Sequence, residues 1–279
     1  MELIFAFGLL LAGVAAGFAS GMLGVGGCFI MVPVQLWVLT ASGIEPTMAT
    51  RIAFGTALAV ALPTAINAAL GHHRRRAVVP RTALLLGLAG LVGAFLGGAV
   101  TAKAPGDLLR ITFGLVVIAA ALRMATAPDL TAGGGEGDGA IPRSDGCYLL
   151  LGLPLGFISG LVGIGGGVMM VPVLSTAMGL GIHRAVGTSS AAIILTSSGG
   201  VLSYVYHGLG VPGLPPFSLG YLNLLQVALL AGASIPTARI GVRAAHRIPA
   251  DRLRKVFTLL MVYIGLEMMG AFEVLRVTV

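Results

Sequence analysis

One stretch of the chain occurs twice, and each copy interrupts an apolar run with glycines. The pattern G-F-x-S-G-x-x-G-x-G-G-x-x-x-M-V-P-V occupies residues 17–34 and returns without a gap at residues 156–173. Each copy places a serine, a glycine cluster and a proline inside a strongly hydrophobic segment. Glycine and proline are the residues that interrupt helices. The repeat therefore predicts two related halves, each containing a broken helix.

The composition indicates that these apolar runs lie in a membrane. Of the 279 residues 57% are hydrophobic and only 10% are charged, whereas a soluble domain has roughly 25% charged residues. Several runs reach the ~20 residues that a transmembrane helix needs. The net charge of +7 does not indicate nucleic acid binding, because Lys and Arg lie in short loops between apolar runs. We expect an all-α, polytopic membrane protein that contacts the lipid bilayer and binds no nucleic acid.

The apolar runs divide the chain into an N-terminal repeat, residues 1–125, and a C-terminal repeat, residues 147–279. Residues 126–146 between them are polar and glycine-rich, which predicts a flexible cytoplasmic linker. Each half is expected to hold a broken or re-entrant hairpin, with arms too short to cross alone, followed by three transmembrane helices. The predicted hairpins cover residues 3–40 and 148–180, and the predicted crossings are residues 47–70, 82–101, 108–125, 185–207, 217–238 and 256–275.

The distribution of basic residues predicts that the two halves are inverted relative to each other. The loop after the first crossing contains Arg74, Arg75 and Arg76, whereas its counterpart at residues 208–216 has no charge. The next loop reverses this imbalance, with most of its cations in the second half. Because cytoplasmic loops carry the excess of Lys and Arg, the halves have opposite orientations, with both termini outside and the linker in the cytoplasm.

Inverted repeats with broken helices that meet near the membrane midplane are typical of secondary transporters. Helix N-termini carry partial positive charge and unpaired N–H groups, so two such ends facing one point form an anion-binding site. The serine before each glycine cluster adds a hydroxyl donor. The alternative is that the glycines only permit close helix packing. The candidate binding residues at the two breaks are Ser20, Gly24, Gly26, Gly27, Ser159, Gly163, Gly165 and Gly166.

A second group of candidates lies outside the breaks. Arg51 follows the start of an apolar span, and an intramembrane Arg is by default a functional hypothesis, because its guanidinium can bind two oxygens of a sulfonate or carboxylate. The alternatives are that Arg51 extends to the outer interface or pairs with Glu45. For the other polar groups in these spans, an interhelical hydrogen bond is favoured over a place on the transport path. The remaining candidates for substrate binding are Gln35, Thr50, Thr188, Ser189 and Tyr204.

Other polar residues are weaker candidates. Asn67 and Tyr206 are expected to form structural bonds between helices. Proton coupling and interfacial packing are both open for His72, His73 and His207. Glu267 is either a coupling carboxylate or simply solvated near the outer surface.

The doubled G-x-x-G-x-G-G…V-P pattern resembles the TauE/SafE sulfite exporter family, and the resemblance covers both halves. It implies a multi-pass carrier in the bacterial inner membrane for sulfur-containing anions such as sulfite, thiosulfate or organosulfonates, with export as the commonest assignment. The A-V-G-T-S element of that family is present at residues 185–189. The first half departs from it at residues 48–52, where Arg51 falls at the position of Ser189.

The sequence contains no nucleotide-binding P-loop, metal-ligand cluster or catalytic constellation. We therefore expect no cofactor, no metal and no enzymatic activity. The predicted function is secondary active transport, most simply export, of sulfite or an organosulfonate by alternating access. An anion channel of the same fold, and a carrier for another small anion such as thiosulfate or a carboxylate, are the alternatives. A homodimer and a monomer both remain open.

Overall fold

The computed structural model describes residues 3–126, 144–245 and 250–271, and most of them are helical. Residues 127–143, the greater part of the predicted linker, lie outside the described residues. The helices are α1 Leu3–Leu23, α2 Cys28–Ala41, α3 Pro46–His73, α4 Pro80–Thr101, α5 Gly106–Thr126, α6 Asp145–Val162, α7 Gly167–Pro172, α8 Ile182–Gly208, α9 Leu224–Ala245 and α10 Ala250–Met268. A π-helical turn, Val173–Ala177, continues α7, and strands β1 Ser218–Leu219 and β2 Leu222–Asn223 pair antiparallel before α9.

Among the described residues, seven helices are long and apolar enough to cross a membrane: α1, α3, α4, α5, α6, α8 and α9. This confirms the all-α, polytopic class. The prediction that both arms of each hairpin are too short is wrong for α1 and α6, because the apolar run before each glycine cluster is helical for 21 and 18 residues. The second arms are short, with 14 residues in α2 and 6 in α7.

The crossing predicted at residues 217–238 begins later than expected. Phe217 and Gly220 have φ angles of 62° and 57°, which turn the chain into the β1–β2 hairpin instead of a helix. The Asn223 side chain then accepts the N–H of Gln226 at 3.0 Å and caps the start of α9. Hydropathy alone places the start of the span too early because it does not detect this cap.

Each broken segment turns back on itself at its glycine cluster. α1 and α2 run antiparallel, with the rings of Phe5 and Trp37 5.4 Å apart at the open end of the hairpin and Gly27 against Ala16 near its tip. We call residues 24–27 the first tip and residues 163–166 the second tip. Both tips use the left-handed backbone region that favours glycine. The φ angles are 66°, 81° and 70° at Gly24, Gly26 and Gly27, and 66°, 80° and 82° at Gly163, Gly165 and Gly166.

Helices that are equivalent in the two halves run in opposite directions. α1, α3 and α9 are parallel to one another, α4, α6 and α8 are parallel to one another, and α3 is antiparallel to α8. The residue pairs that set these directions are Gly13–Leu230 and Gly21–Ala238, Thr64–Ser234 and Gly71–Val242, Gly152–Leu86 and Gly160–Ala94, Gly90–Thr196 and Gly98–Ser203, and Leu58–Gly200 and His72–Gly187. α3 and α8 are the most enclosed spans, with 72% and 67% of their apolar windows buried, so they form the centre of the molecule.

The contacts of α3 and α8 correct the alignment of the two halves. Phe54 packs against Gly163 of the second tip as Val186 packs against Gly24 of the first tip. The counterpart of residues 185–189 is therefore residues 53–57, and the alignment of Arg51 with Ser189 is wrong. The element lies about one helical turn further along α3 than along α8. Counting residues from the start of each helix therefore pairs the wrong residues.

The corrected alignment is supported by two matching hydrogen bonds. The Val79 N–H donates to the Thr188 hydroxyl, and the Asn223 N–H donates to the Thr56 hydroxyl, each at 3.0 Å. In each case the residue before a long helix of one half is held by a threonine of the other half. The first half therefore contains its own A-x-G-T element, Ala53-Phe54-Gly55-Thr56.

Candidate functional site

The two hairpin tips touch each other in the interior, between α3 and α8. Gly167, directly after the second tip, packs against the Gly24 carbonyl and Val25 of the first tip. A Cβ placed on Gly26 would lie 3.5 Å from the Ile164 carbonyl oxygen. The Ser189 hydroxyl of α8 donates to the Gly24 carbonyl at 3.0 Å. The sequence-predicted residues at the two breaks are thus brought together, and Ser189 joins them.

Two helices begin at this point without a side-chain cap. Gly27 precedes α2 and Gly166 precedes α7, and no side chain accepts from either helix start. Gly26, Gly27, Gly165 and Gly166 are buried residues, and their N–H groups have no hydrogen-bond acceptor among the described residues. A buried unpaired N–H group costs about 1–3 kcal/mol. These amides are therefore suited to a ligand that brings its own acceptor oxygens.

Two buried serine hydroxyls face the second tip and have no hydrogen-bond partner in the described part of the chain. Ser159 of α6 is 2% exposed and Ser197 of α8 is fully buried. A Cβ placed on Gly166 would lie 3.5 Å from Ser159 Oγ, and a Cβ on Gly165 would lie 3.5 Å from both Ser197 Oγ and the sulfur of Cys28. The hydroxyls, the thiol and the tip amides therefore border the same small region.

The glycines of the two tips differ in how closely they are packed. A Cβ on Gly27 or Gly163 would overlap neighbouring atoms, so these glycines serve packing. At Gly26 and Gly165 the nearest atoms to such a Cβ are 3.5 Å or more away, which is ordinary contact distance. A methyl-sized group would therefore fit beside either of these two equivalent glycines without displacing a neighbouring atom. We call the groups around the two glycines the tip site, which consists of Gly26, Cys28, Ser159, Gly165, Gly166 and Ser197.

Thr50 and Tyr204 make structural contacts, whereas the Gln35 amide has no partner among the described residues. The Thr50 hydroxyl donates to the Pro46 carbonyl of its own helix at 2.8 Å. Tyr204 donates to the Gly160 carbonyl at 2.9 Å, so it holds α8 against α6. Gln35 of α2 is fully buried, and neither end of its amide has a partner. A role of these residues in substrate binding stays a prediction.

Arg51 lies beside the β1–β2 hairpin and not at the tips. Its guanidinium donates to the Ala104 carbonyl at 3.0 Å and lies 5.8 Å from the centre of the Tyr221 ring. It forms no ion pair with Glu45 among the described residues. Instead, the Glu45 carboxylate caps α3 by accepting the N–H groups of Thr47 and the next residue, and these bonds hold the pKa of Glu45 below its usual range. Substrate binding by Arg51 stays a prediction.

The weaker candidates are distributed over several helices. The Asn67 amide donates a hydrogen bond to the Ile235 carbonyl and accepts one from Arg239 Nε at 2.8 Å. This is the interhelical role expected for Asn67. His72 Nε2 lies 3.0 Å from the Gly21 carbonyl of α1, one turn before the first tip. Thr188 holds the α3–α4 loop, as described above. His207 bonds within α8, and Tyr206 and Glu267 are exposed.

Sequence reasoning missed two members of the tip site, Cys28 and Ser197. Cys28 follows the first glycine cluster directly, and its thiol donates to the Ala57 carbonyl at 3.5 Å. Ser197 begins a Ser-Ser-Gly-Gly stretch inside an apolar span. A run of small polar residues in such a span was the available signal, but only the fold shows that Ser197 faces the second tip while Ser198 bonds to its own helix.

Comparison with known proteins identifies the family. A family model described as sulfite exporter TauE/SafE matches residues 9–268. The chain belongs to the TauE/SafE family. A TauE/SafE relative from Haemophilus influenzae, described as a probable membrane transporter protein, is 28% identical over 93% of this chain and 96% of its own length. A relative with the same description from Methanocaldococcus jannaschii is 27% identical, covering 94% of each chain. No solved structure matches the chain.

The relatives are described as transporters and not as enzymes. A third one, from Xylella fastidiosa, is 30% identical over 71% of this chain and 73% of its own length, and it carries the same description. With seven helices that are able to cross a membrane, this TauE/SafE protein is a multi-pass membrane protein of a transporter family.

Proposed function

We propose that this protein is a secondary active carrier that moves a small sulfur-containing oxyanion, such as sulfite or an organosulfonate, through the tip site. The observation that carries the proposal is the cluster of buried, unpaired donors at the two tips, formed by four amides and two serine hydroxyls. A sulfonate or sulfite group offers three oxygens to such donors. In a water-excluded site these bonds are stronger than in water.

The donor types suit an anion better than a cation or a neutral solute. Amide N–H groups at the starts of helices carry partial positive charge, which favours an anion beside them. Ser159 and Ser197 can add O–H donors from two other helices. Hydrogen bonds to a charged acceptor contribute about 1.5–3 kcal/mol each, so several of them offset the cost of removing one anion from water.

We further propose that the halves are inverted-topology repeats that alternate in giving access to the site. The support is that equivalent helices run antiparallel and that each tip packs against a long helix of the other half. The start of α8 is covered by the α3–α4 loop through Val79 and Thr188, and the start of α3 is covered by the β1–β2 hairpin through Asn223 and Thr56. Breaking one of these contacts at a time would open the site to one side only.

The proposed orientation of the protein in the membrane rests on the loops that carry basic residues. Arg74, Arg75 and Arg76 are exposed on the α3–α4 loop, which we place on the cytoplasmic side. With the family relationship, this gives a protein of the bacterial inner membrane that carries its anion outward from the cytoplasm.

Counterflow in proteoliposomes tests the proposed function. Vesicles are loaded with unlabelled methanesulfonate, and uptake of labelled methanesulfonate is measured against vesicles loaded with gluconate. A carrier gives saturable uptake that internal methanesulfonate accelerates. Non-saturating flux with electrical conductance would instead indicate an anion channel, and no flux of methanesulfonate or sulfite above protein-free vesicles would contradict the proposal.

A further inference from the structure

We propose that a recess on the lipid-facing surface of α4 binds an anionic phospholipid. One acyl chain lies in the recess, and the headgroup phosphate binds the ammonium group of Lys103. The inference does not depend on the proposed function, because it concerns the outer surface of the helices and not the tip site.

The recess lies where α4 packs against both α6 and α8, and it has a volume of about 500 Å³. Its lining residues are Leu96, Ala99, Val100 and Lys103 of α4 and the turn after it, Phe157 of α6 and His207 of α8. Leu96 and Val100 are 48% and 46% exposed, so the recess opens on the surface that faces lipid when α4 crosses the membrane. Ala99 is the smallest lining residue and leaves room between its larger neighbours.

The chemistry of the lining determines what fills the recess in a bilayer. Four of the six lining residues are apolar, and an ordered water needs two to four polar partners. An empty recess would deprive its lining of dispersion contacts. The surrounding lipid supplies apolar chains that restore those contacts. The apolar part of the recess is therefore suited to an acyl chain.

The two polar lining residues lie together at one end of the recess. Lys103 follows Leu96 by seven residues, which places it about 10 Å further along the direction of α4. His207 lies in the last turn of α8, which is parallel to α4. The neighbouring Tyr206 is 68% exposed, as is typical of aromatic residues at a membrane interface. The polar end of the recess is therefore at the level of lipid headgroups.

The charge at this end favours an anionic lipid over a zwitterionic one. Lys103 is exposed, and its ammonium group has no hydrogen bond or ion pair with a described residue. Asp107, one turn further along, is also exposed and does not pair with it. A basic side chain near the membrane surface attracts anionic lipids. The Lys103 ammonium is therefore free to bind a headgroup phosphate.

His207 favours a headgroup that also carries hydroxyl groups. Its Nδ1 donates to the Ser203 carbonyl of its own helix at 2.9 Å, so Nε2 of the neutral ring is left as an acceptor. The glycerol headgroup of phosphatidylglycerol has hydroxyls that can donate to this nitrogen. The trimethylammonium headgroup of phosphatidylcholine has no donor, and its positive charge is repelled by Lys103. Phosphatidylglycerol therefore matches both polar residues of the recess.

Photo-crosslinking tests the proposal at the level of single residues. The full-length protein is placed in phosphatidylcholine vesicles that contain a trace of either phosphatidylglycerol or phosphatidylcholine with a diazirine in one acyl chain. After illumination, mass spectrometry locates the labelled residues. We expect labelling of residues 96–100 and of Phe157. The phosphatidylglycerol probe is expected to label them about fivefold more strongly, which is the preference that one basic residue near the membrane surface provides.

Three variants separate the acyl chain from the headgroup. Ala99→Leu fills the recess and is expected to lower labelling by both probes. Lys103→Gln is expected to reduce labelling by phosphatidylglycerol to the level of phosphatidylcholine. Arg75→Gln removes an exposed cation from the loop at the other end of α4, and as the matched control it is expected to keep the fivefold preference.

Unlabelled recess residues in the wild-type protein, or labelling that Ala99→Leu leaves unchanged, would show that no acyl chain occupies the recess. Equal labelling by the two probes in the wild-type protein would overturn the preference for an anionic lipid. A preference that survives Lys103→Gln, or that is lost equally in Arg75→Gln, would overturn the assignment of the headgroup to Lys103.

Discussion

Replacing Gly27 by alanine is expected to lower the free energy of unfolding by about 3 kcal/mol, a large fraction of the ~5–15 kcal/mol typical of folded proteins. Gly27 has φ 70°, which disfavours any other residue by about 1–2 kcal/mol. The new Cβ would also lie 2.9 Å from Ala16 Cβ and closer still to the Ala16 carbonyl oxygen. Overpacking of this kind costs a further ~1–3 kcal/mol. Thermal unfolding in detergent and the yield of monodisperse protein measure the loss.

Gly43→Ala is the matched control for that substitution. Gly43, in the turn after α2, has φ 83°, and no atom lies within 4 Å of the position of its Cβ. Only the backbone cost of about 1–2 kcal/mol applies there. Equal stability losses in Gly27→Ala and Gly43→Ala would mean that the first tip is not packed against α1 as described.

Removing both buried hydroxyls of the tip site is expected to abolish anion transport without destabilising the protein. The double variant Ser159→Ala, Ser197→Ala deletes two donors that have no partner among the residues that the structure describes. Loss of a hydrogen bond to a charged ligand costs about 1.5–3 kcal/mol, or roughly 10- to 100-fold in affinity per serine. Removal of unpaired buried hydroxyls leaves the unfolding temperature unchanged or slightly higher. Ligand affinity and the unfolding temperature are measured on the same preparations.

The control for this variant uses serines whose hydroxyls are already satisfied. Ser190 and Ser198 donate to the Val186 and Ile194 carbonyls of α8 at 2.9 Å and 2.8 Å. Ser190→Ala and Ser198→Ala are therefore expected to leave affinity within about twofold of wild type. Full transport by the double variant would remove the serines from the binding site, and a large drop in stability would show that they are structural.

The parts of the fold that depend on local backbone chemistry could be predicted from the sequence. The two tips follow from glycine clusters in apolar runs, because only glycine readily takes the φ angles of 66–82° seen there. The start of α9 could not be placed by hydropathy, since it depends on the Asn223 cap and on the β1–β2 hairpin.

The composition of the site was harder to predict because it depends on contacts between distant residues. Chain position aligns Arg51 with Ser189, but the packing of Phe54 on Gly163 and of Val186 on Gly24 sets a different correspondence. Ser197 and Ser198 are adjacent and chemically identical, yet only Ser197 faces the second tip. That distinction comes from the rotation of α8 against the tips, which a pattern shared along one span does not determine.

Protection of Cys28 by substrate tests most directly whether an anion occupies the space between the two tips. The chain has two cysteines, and Cys147→Ser leaves Cys28 as the sole thiol. Cys28 is fully buried, so N-ethylmaleimide reaches it only when the site opens to one side during transport. In proteoliposomes that transport methanesulfonate, the rate of this modification is followed by mass spectrometry, with gluconate as the control anion. Methanesulfonate at about ten times its Kd is expected to slow the reaction roughly tenfold. An unchanged rate during active transport would show that the anion passes elsewhere and would contradict the tip site.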